Sequence, residues 1–274
     1  MRKVKGILLN ALLWVSAAIT LLILVIILGF ILIKGMKVIS FDFLFGGYSA
    51  TGTSGILPMT ITTLYTVLLA LIIGTPIGIL AAIYLQEYAK QGSIVKFIRF
   101  STEILAGIPS IIYGLFGSIF FVIMLKMGYS ILAASLTLAI MILPVIIRTT
   151  EEALKTVPES YKEASLALGG TRFQTLYKVI IPSAMPGILS GVILSIGRII
   201  GESAAILLTA GTAVALPKSV MNSARTLTVH AYLVTKEQGN IELAAGIGIV
   251  LIVIILILNL LSRFIGRKFT KGNY

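Results

Sequence analysis

From Gly6 to Ile33 the chain carries no charged residue. A helix rises about 1.5 Å per residue, so this stretch outreaches the roughly 30 Å hydrocarbon core of a bilayer and leaves room for tilt. A soluble domain would have to bury it on every side, and it is read as a membrane span. Its basic start, Arg2, Lys3 and Lys5, is that of a signal peptide. The apolar run is much too long for one and no small-residue cleavage site follows, so a retained anchor is expected. Five further stretches are long enough to cross, at about 56–85, 104–125, 131–147, 185–210 and 243–262, after the first at about 7–33. Composition agrees, with 58% hydrophobic residues, 12% charged and a mean hydropathy of +1.06. The expectation is an all-α integral membrane protein with six transmembrane helices in one domain over residues 1–274. Pro76, Pro109 and Pro144 lie inside predicted spans, where neighbouring helices re-satisfy the carbonyls they free, so they are expected as tolerated kinks.

The formal net charge of +12 would suit nucleic acid, but its distribution suits a membrane better. Assigned to alternate connections, Arg2, Lys3, Lys5, Lys90, Lys96, Arg99, Arg148, Lys155, Lys162, Arg172, Lys178, Arg263, Arg267, Lys268 and Lys271 fall on one side. Only Lys34, Lys37, Lys126, Lys218, Arg225 and Lys236 fall on the other. This excess places both termini in the cytoplasm and accounts for the charge without nucleic acid. The chain has no cysteine and one histidine, His230. No disulfide, thiolate metal site or cysteine nucleophile is available, and a lone histidine with no carboxylate cluster beside it reads as an ordinary loop residue. No metal and no cofactor are expected.

Between the fourth and fifth spans lies a loop over 148–182, too long for a turn. Pro158 suits a first helical turn, Tyr161, Ala164 and Leu168 recur at helical spacing, and Gly169-Gly170 supplies a left-handed stop. Thr171 followed by Gln174 matches a capping box for a second helix that runs into Pro182. Two short helices meeting at a glycine corner could be a DNA-binding motif, but the tether between two spans and the carboxylates Glu151, Glu152, Glu159 and Glu163 argue for a partner protein instead. An amphipathic hairpin lying on the membrane surface is the structural alternative.

Glu163-Ala164-Ser165, then Gly169 and Pro182, resemble the EAA loop of permease subunits of ATP-binding-cassette (ABC) importers. The family's second alanine is Ser165 here, its isoleucine Val179 and its leucine Ile181, with the spacing intact. The resemblance extends through PIGILAAIYLQEYA, AGIPSIIYGLFG, the long loop and RIIGESAAILLTAG, which together look like the PstA-type permease of bacterial phosphate importers. It implies a type I ABC importer permease fold with a coupling helix formed by Glu163, Ala164, Ser165, Leu168, Gly169 and Pro182. It also implies a cytoplasmic ABC ATPase dimer, a second related permease subunit and an extracytoplasmic phosphate-binding protein as partners, in a bacterial or archaeal cell membrane. Independently, the chain has no G-x-x-x-x-G-K-[ST] phosphate loop, so energy must come from another chain or an ion gradient. No nucleophile, base and orienting group occur together, and the chain is not expected to be an enzyme.

Within the fifth span, Arg198 and Glu202 stand four residues apart. On a continuous helix Gly191, Ser195, Arg198, Glu202 and Thr209 share one face, opposite Leu189, Ile193, Ile196, Ile200 and Leu207. Such charges default to a substrate or proton pathway, although a structural ion pair is the competing account. Arg198 would offer a planar fork of donors to phosphate, Glu202 would accept the proton that monohydrogen phosphate carries and sulfate lacks, and Ser195 and Thr209 would add hydroxyls. Gly187 with Gly191, and Gly197 with Gly201, are spaced for close helix packing. The expected function is inward phosphate transport by alternating access. The rivals are a sulfate or molybdate permease, an ion-coupled carrier with Arg198 and Glu202 as proton relay, and a non-transporting scaffold.

Overall fold

The computed structural model describes residues 2–48 and 55–271, and over those it is helical with no strand. The side chains of Arg2, Lys3, Lys5, Arg267, Lys268 and Lys271 lie outside what is described.

Five helices are long and apolar enough to cross a bilayer unaided: α1 (Arg2–Gly35), α3 (Leu57–Ile83), α6 (Ile131–Lys155), α9 (Ile181–Ile200) and α12 (Ile241–Lys271), with the short α2 (Phe41–Phe45) after α1. α6 is the centre. It packs on α3, where Gly74 and Gly78 bring the backbone against Ala139, Ile142 and Ile146, and on α9, where Gly187 and Gly191 lie against Ala153 and Thr149. Their facing side chains, among them Val67, Leu138, Met141, Ile142, Ile196 and Ile199, form the core. The buried hydroxyls of Thr62, Thr63, Thr66 and Ser135 turn back on their own helix and donate to carbonyls four residues earlier. α1 packs on α12 and leaves Leu12, Trp14, Leu21, Leu22 and Ile26 more than half exposed, a surface only lipid suits.

Two predicted spans are not single helices. The third is α4 (Ser93–Gly107) and α5 (Ser110–Gly117), bent by 100° at Ile108-Pro109, with α5 continued by a π-helical stretch Ser118–Met124. Pro109, expected as a tolerated kink, is where the chain turns. It has no N–H to continue α4 and it holds the residue before it extended. The Tyr113 hydroxyl donates across the bend to the Leu105 carbonyl at 2.7 Å. Pro76 and Pro144, by contrast, sit inside unbroken helices. The fifth span ends as α9 at Ile200 and restarts as α10 (Ala204–Thr209).

The loop between the fourth and fifth spans forms α7 (Glu159–Ala167) and α8 (Arg172–Thr175), which runs through a π-helical turn Leu176–Ile180 into α9. At the opposite end of the bundle, α11 (Leu227–Gln238) and the segment before it cover the start of α6: the Asn222 and Val220 carbonyls accept from the Ile131 and Leu132 N–H groups. Leu227 N–H donates to Thr63 Oγ1 at 2.9 Å, tying α11 to α3.

Candidate functional site: an exposed hairpin and two broken spans

The hairpin begins at Pro158, which caps α7, and no residue of α7 is buried. α7 ends in a complete Schellman motif: Gly170 N–H donates to the Ser165 carbonyl at 3.0 Å and Gly169 N–H to that of Leu166 at 2.9 Å. Gly169 sits at φ +83°, a conformation that only glycine adopts without strain. Thr171 and Gln174 then form the capping box, each side chain accepting from the other's backbone N–H at 3.2 and 2.9 Å. Pro182 lies in the first turn of α9, and the turn before it widens to a π turn, since Pro182 has no N–H to donate four residues back.

The stripe of Tyr161, Ala164 and Leu168 faces away from the protein, and Leu168 is 90% exposed. Glu163 is exposed with it, while Ser165 turns inward and its Oγ lies 2.9 Å from Thr175 Oγ1, locking α7 onto the second helix. Exposed Phe173 and Tyr177 stack beside the corner at 6.3 Å. A rigid corner carrying bare apolar side chains has the make-up of a surface that a partner covers.

The second constellation differs from the helical-wheel expectation. Because α9 stops at Ile200, Glu202 is not one turn along from Arg198 but stands in the break. Its Oε1 accepts from Ala205 N–H at 3.1 Å, capping α10, and it is 9% exposed. The Ile200 carbonyl, freed by the break, accepts from the Thr228 hydroxyl. No ion pair joins Arg198 to Glu202 among the described residues. Ser195 and Thr209 are fully buried and donate to the Gly191 and Ala205 carbonyls of their own helices at 2.9 and 2.6 Å, so neither presents a hydroxyl to open space. The face expected to be apolar is partly the core: Ile196 and Ile200 are 2% exposed, whereas Leu189, Ile193 and Leu207 are only partly covered.

Arg198 remains half-buried, and no hydrogen bond engages its guanidinium among the described residues. Tyr113 of α5 braces the other bend. The two broken spans also pack on each other, Gly114 against Ala205 and Leu208 and Gly117 against Thr209. Arg198 therefore stands where two helix discontinuities meet, the arrangement that lets backbone and side chain line a path at membrane depth. Gly197 beside it meets no neighbour, so of the two glycine pairs only Gly187 and Gly191 serve helix packing.

The family model described as binding-protein-dependent transport system inner membrane component matches residues 74–271, which hold both broken spans and the hairpin. The chain belongs to that family. It is 36% identical over 98% of each chain to the probable ABC transporter permease protein YqgI of Bacillus subtilis. It is 37% identical to the phosphate transport system permease protein PstA of Pasteurella multocida, over 76% of this chain and 75% of that one. A chain of the bacterial alginate ABC transporter, solved in complex with alginate pentasaccharide-bound periplasmic protein, matches at a TM-score of 0.70 over 96% of this chain and 95% of that one. At 17% identity that likeness shows the fold.

In this inner-membrane component three features escape a reading of the sequence. Arg99 of α4 is held by Glu151 of α6 at 2.9 Å, Lys162 of α7 by Glu87 at 3.0 Å, and His230 is wholly buried rather than an exposed loop residue. A carboxylate directly after an apolar span, Glu87, was the visible signal for one of them. Its partner lies 75 residues away, beyond any local pattern.

Proposed function

We propose that this chain is a single-domain permease subunit of an ABC importer that carries inorganic phosphate into the cytoplasm by alternating access. ATP is hydrolysed on a separate cytoplasmic ABC ATPase dimer, and the chain itself is not an enzyme. A second related permease completes the membrane unit and an extracytoplasmic phosphate-binding protein delivers the anion. The observation that carries the reading is a half-buried guanidinium with no hydrogen-bond partner among the described residues, at the meeting of two broken spans, in a chain related to phosphate permeases.

The alternation of basic residues puts the hairpin and both termini on the cytoplasmic side. There Glu163, Ala164, Leu168 and Gly169 present the coupling helix to the ATPase, Ser165 braces it, and Pro182 starts the span that carries its motion inward. Arg198 lowers the barrier for the passing anion, its donors matched to phosphate oxygens. Glu202 holds the break open as a cap and places a carboxylate near the path. Ser195 and Thr209 support it through helix packing.

The test is purification of the intact complex, followed by radiolabelled phosphate uptake into proteoliposomes. Recovery of an ATPase and a second permease, lost in Gly169→Ala, and uptake that needs internal ATP and Arg198, support the assignment. Uptake driven by a pH gradient in the chain alone would overturn it. Competition by sulfate or molybdate equal to that by phosphate would reassign the substrate.

A further inference from the structure

The end of α3 winds into a π-helical turn, Tyr84–Tyr88, that grips one cation on each side. On one side Glu87 Oε2 accepts from Lys162 Nζ of α7 at 3.0 Å. On the other, the Leu85 carbonyl and Gln86 Oε1 accept from Arg99 Nη2 of α4 at 3.4 and 3.5 Å, while Arg99 Nε donates to Glu151 of α6 at 2.9 Å and Nη1 to Gln91 at 3.0 Å. Glu151 is 6% exposed and Glu87 mostly covered, so both carboxylates sit where water screens them little.

The hairpin is not packed solidly against this turn. A cavity of about 210 Å³ lies between them, lined by Glu87, Tyr88, Lys162, Leu166, Arg172 and Thr175. Across that gap the Lys162–Glu87 contact is the only ion pair joining the hairpin to the first half of the chain among the described residues. A push on α7 can thus reach α3 by two routes: through the helix into α9 and its packing on α6, or directly through this pair.

We infer that Lys162 and Glu87 are positioning residues for energy coupling. Together they convert a displacement of the docked hairpin into a displacement of the Tyr84–Tyr88 turn. Arg99 then passes it to α4, and so to the Pro109 bend, to α5 and to the break beside Arg198. π-helical turns are frequent at functional sites, and this one stands at the branch point of the relay. The inference rests on the importer reading given above.

The test uses the whole reconstituted complex and measures both ATP hydrolysed and phosphate taken up. Glu87→Gln and Lys162→Gln keep the ATPase bound and hydrolysing but lower phosphate moved per ATP by about five- to a hundredfold, the range of ordinary site-to-site coupling. Lys162→Arg stays near the wild-type ratio, and the reciprocal Glu87→Lys with Lys162→Glu recovers most of it. A wild-type ratio in both glutamine variants overturns the inference. So does a swapped pair no better than the single variants although all subunits are recovered. If the glutamine variants fail to assemble, the swapped pair and Lys162→Arg decide it in the same way. A wild-type complex that contains no ATPase sinks the importer reading instead.

Discussion

His230 lies wholly inside the protein, its Nδ1 3.2 Å from Arg225 Nη1 and its ring edge-on to Tyr48. Burial first, and the Arg225 charge second, push its pKa down from 6.5 to about 4. The unfolded chain takes up this proton as pH falls through about 6.5 and the folded chain only near 4. The contribution is therefore complete above that window and is lost across it, at up to about 1.4 kcal/mol per pH unit. Thermal unfolding in detergent from pH 7 to pH 4 should fall more steeply for the wild type than for His230→Gln, and parallel curves would refute the assignment. Glu202 poses a different question at the same scale, because its carboxylate serves the backbone. Glu202→Ala should cost about 0.5–2 kcal/mol of unfolding free energy, the value of a lost cap, while Glu202→Gln keeps an acceptor and costs much less. Equal losses from the two would mean that charge matters rather than the cap, and a changed anion preference in Glu202→Gln alone would return it to the path.

Among the elements, α4 has its amphipathicity reversed. Arg99, Thr102 and Ala106 face α6, where they line a crevice with Arg148, Glu151, Glu152 and Lys155, while Ile94, Phe97, Phe100 and Ile104 point outward and are more than half exposed. In water this helix would be inside out. In a membrane leaflet it is correctly dressed, with its apolar face in acyl chains and Arg99 against the protein. A tryptophan introduced by Phe97→Trp should therefore be quenched by brominated lipid, whereas one introduced by Thr102→Trp, on the face against α6, should not. Quenching at neither site would place a protein surface over α4, and equal quenching at both would mean that lipid reaches the two faces alike. Its covalent neighbour α5 shows why the third span could not be straight: Pro109 removes the helical continuation and the Tyr113 hydroxyl fixes the turn.

For the whole molecule, surface and function divide by end. The hairpin end offers Leu168 at 90% exposure with nothing of its own to cover it. Leu168→Glu should leave unfolding within about 0.5 kcal/mol of wild type, as exposed substitutions do, yet lose the co-purifying ATPase. A complex that survives this change intact would move the docking surface elsewhere. The opposite end instead closes on itself, with the segment before α11 satisfying the first N–H groups of α6, and Lys37 pairing exposed Glu242 at 3.1 Å to tie α1 to α12, a contact of little energetic weight.

Spans, hairpin and caps were readable in the sequence because each is set by near neighbours. Apolar length against bilayer thickness gave the crossings. Gly169 and the Thr171–Gln174 box gave the corner, since a left-handed turn and a capping box need particular residues at fixed offsets. Where Arg198 and Glu202 would point was not readable in this way. A wheel assumes an unbroken helix, and whether Gly201–Ser203 stays helical depends on whether the freed groups find other partners: Thr228 for the Ile200 carbonyl, and α5 packed closely along α10. The same holds for Lys162 with Glu87 and Arg99 with Glu151. A charge near the end of a span is visible locally, but its partner is chosen by the packing of helices tens of residues apart. Local pattern is thus enough for a membrane protein of helices with an exposed glycine corner. Long-range packing decided the rest: two spans break, the breaks pack together near Arg198, and an ion pair joins the corner to the turn that ends α3.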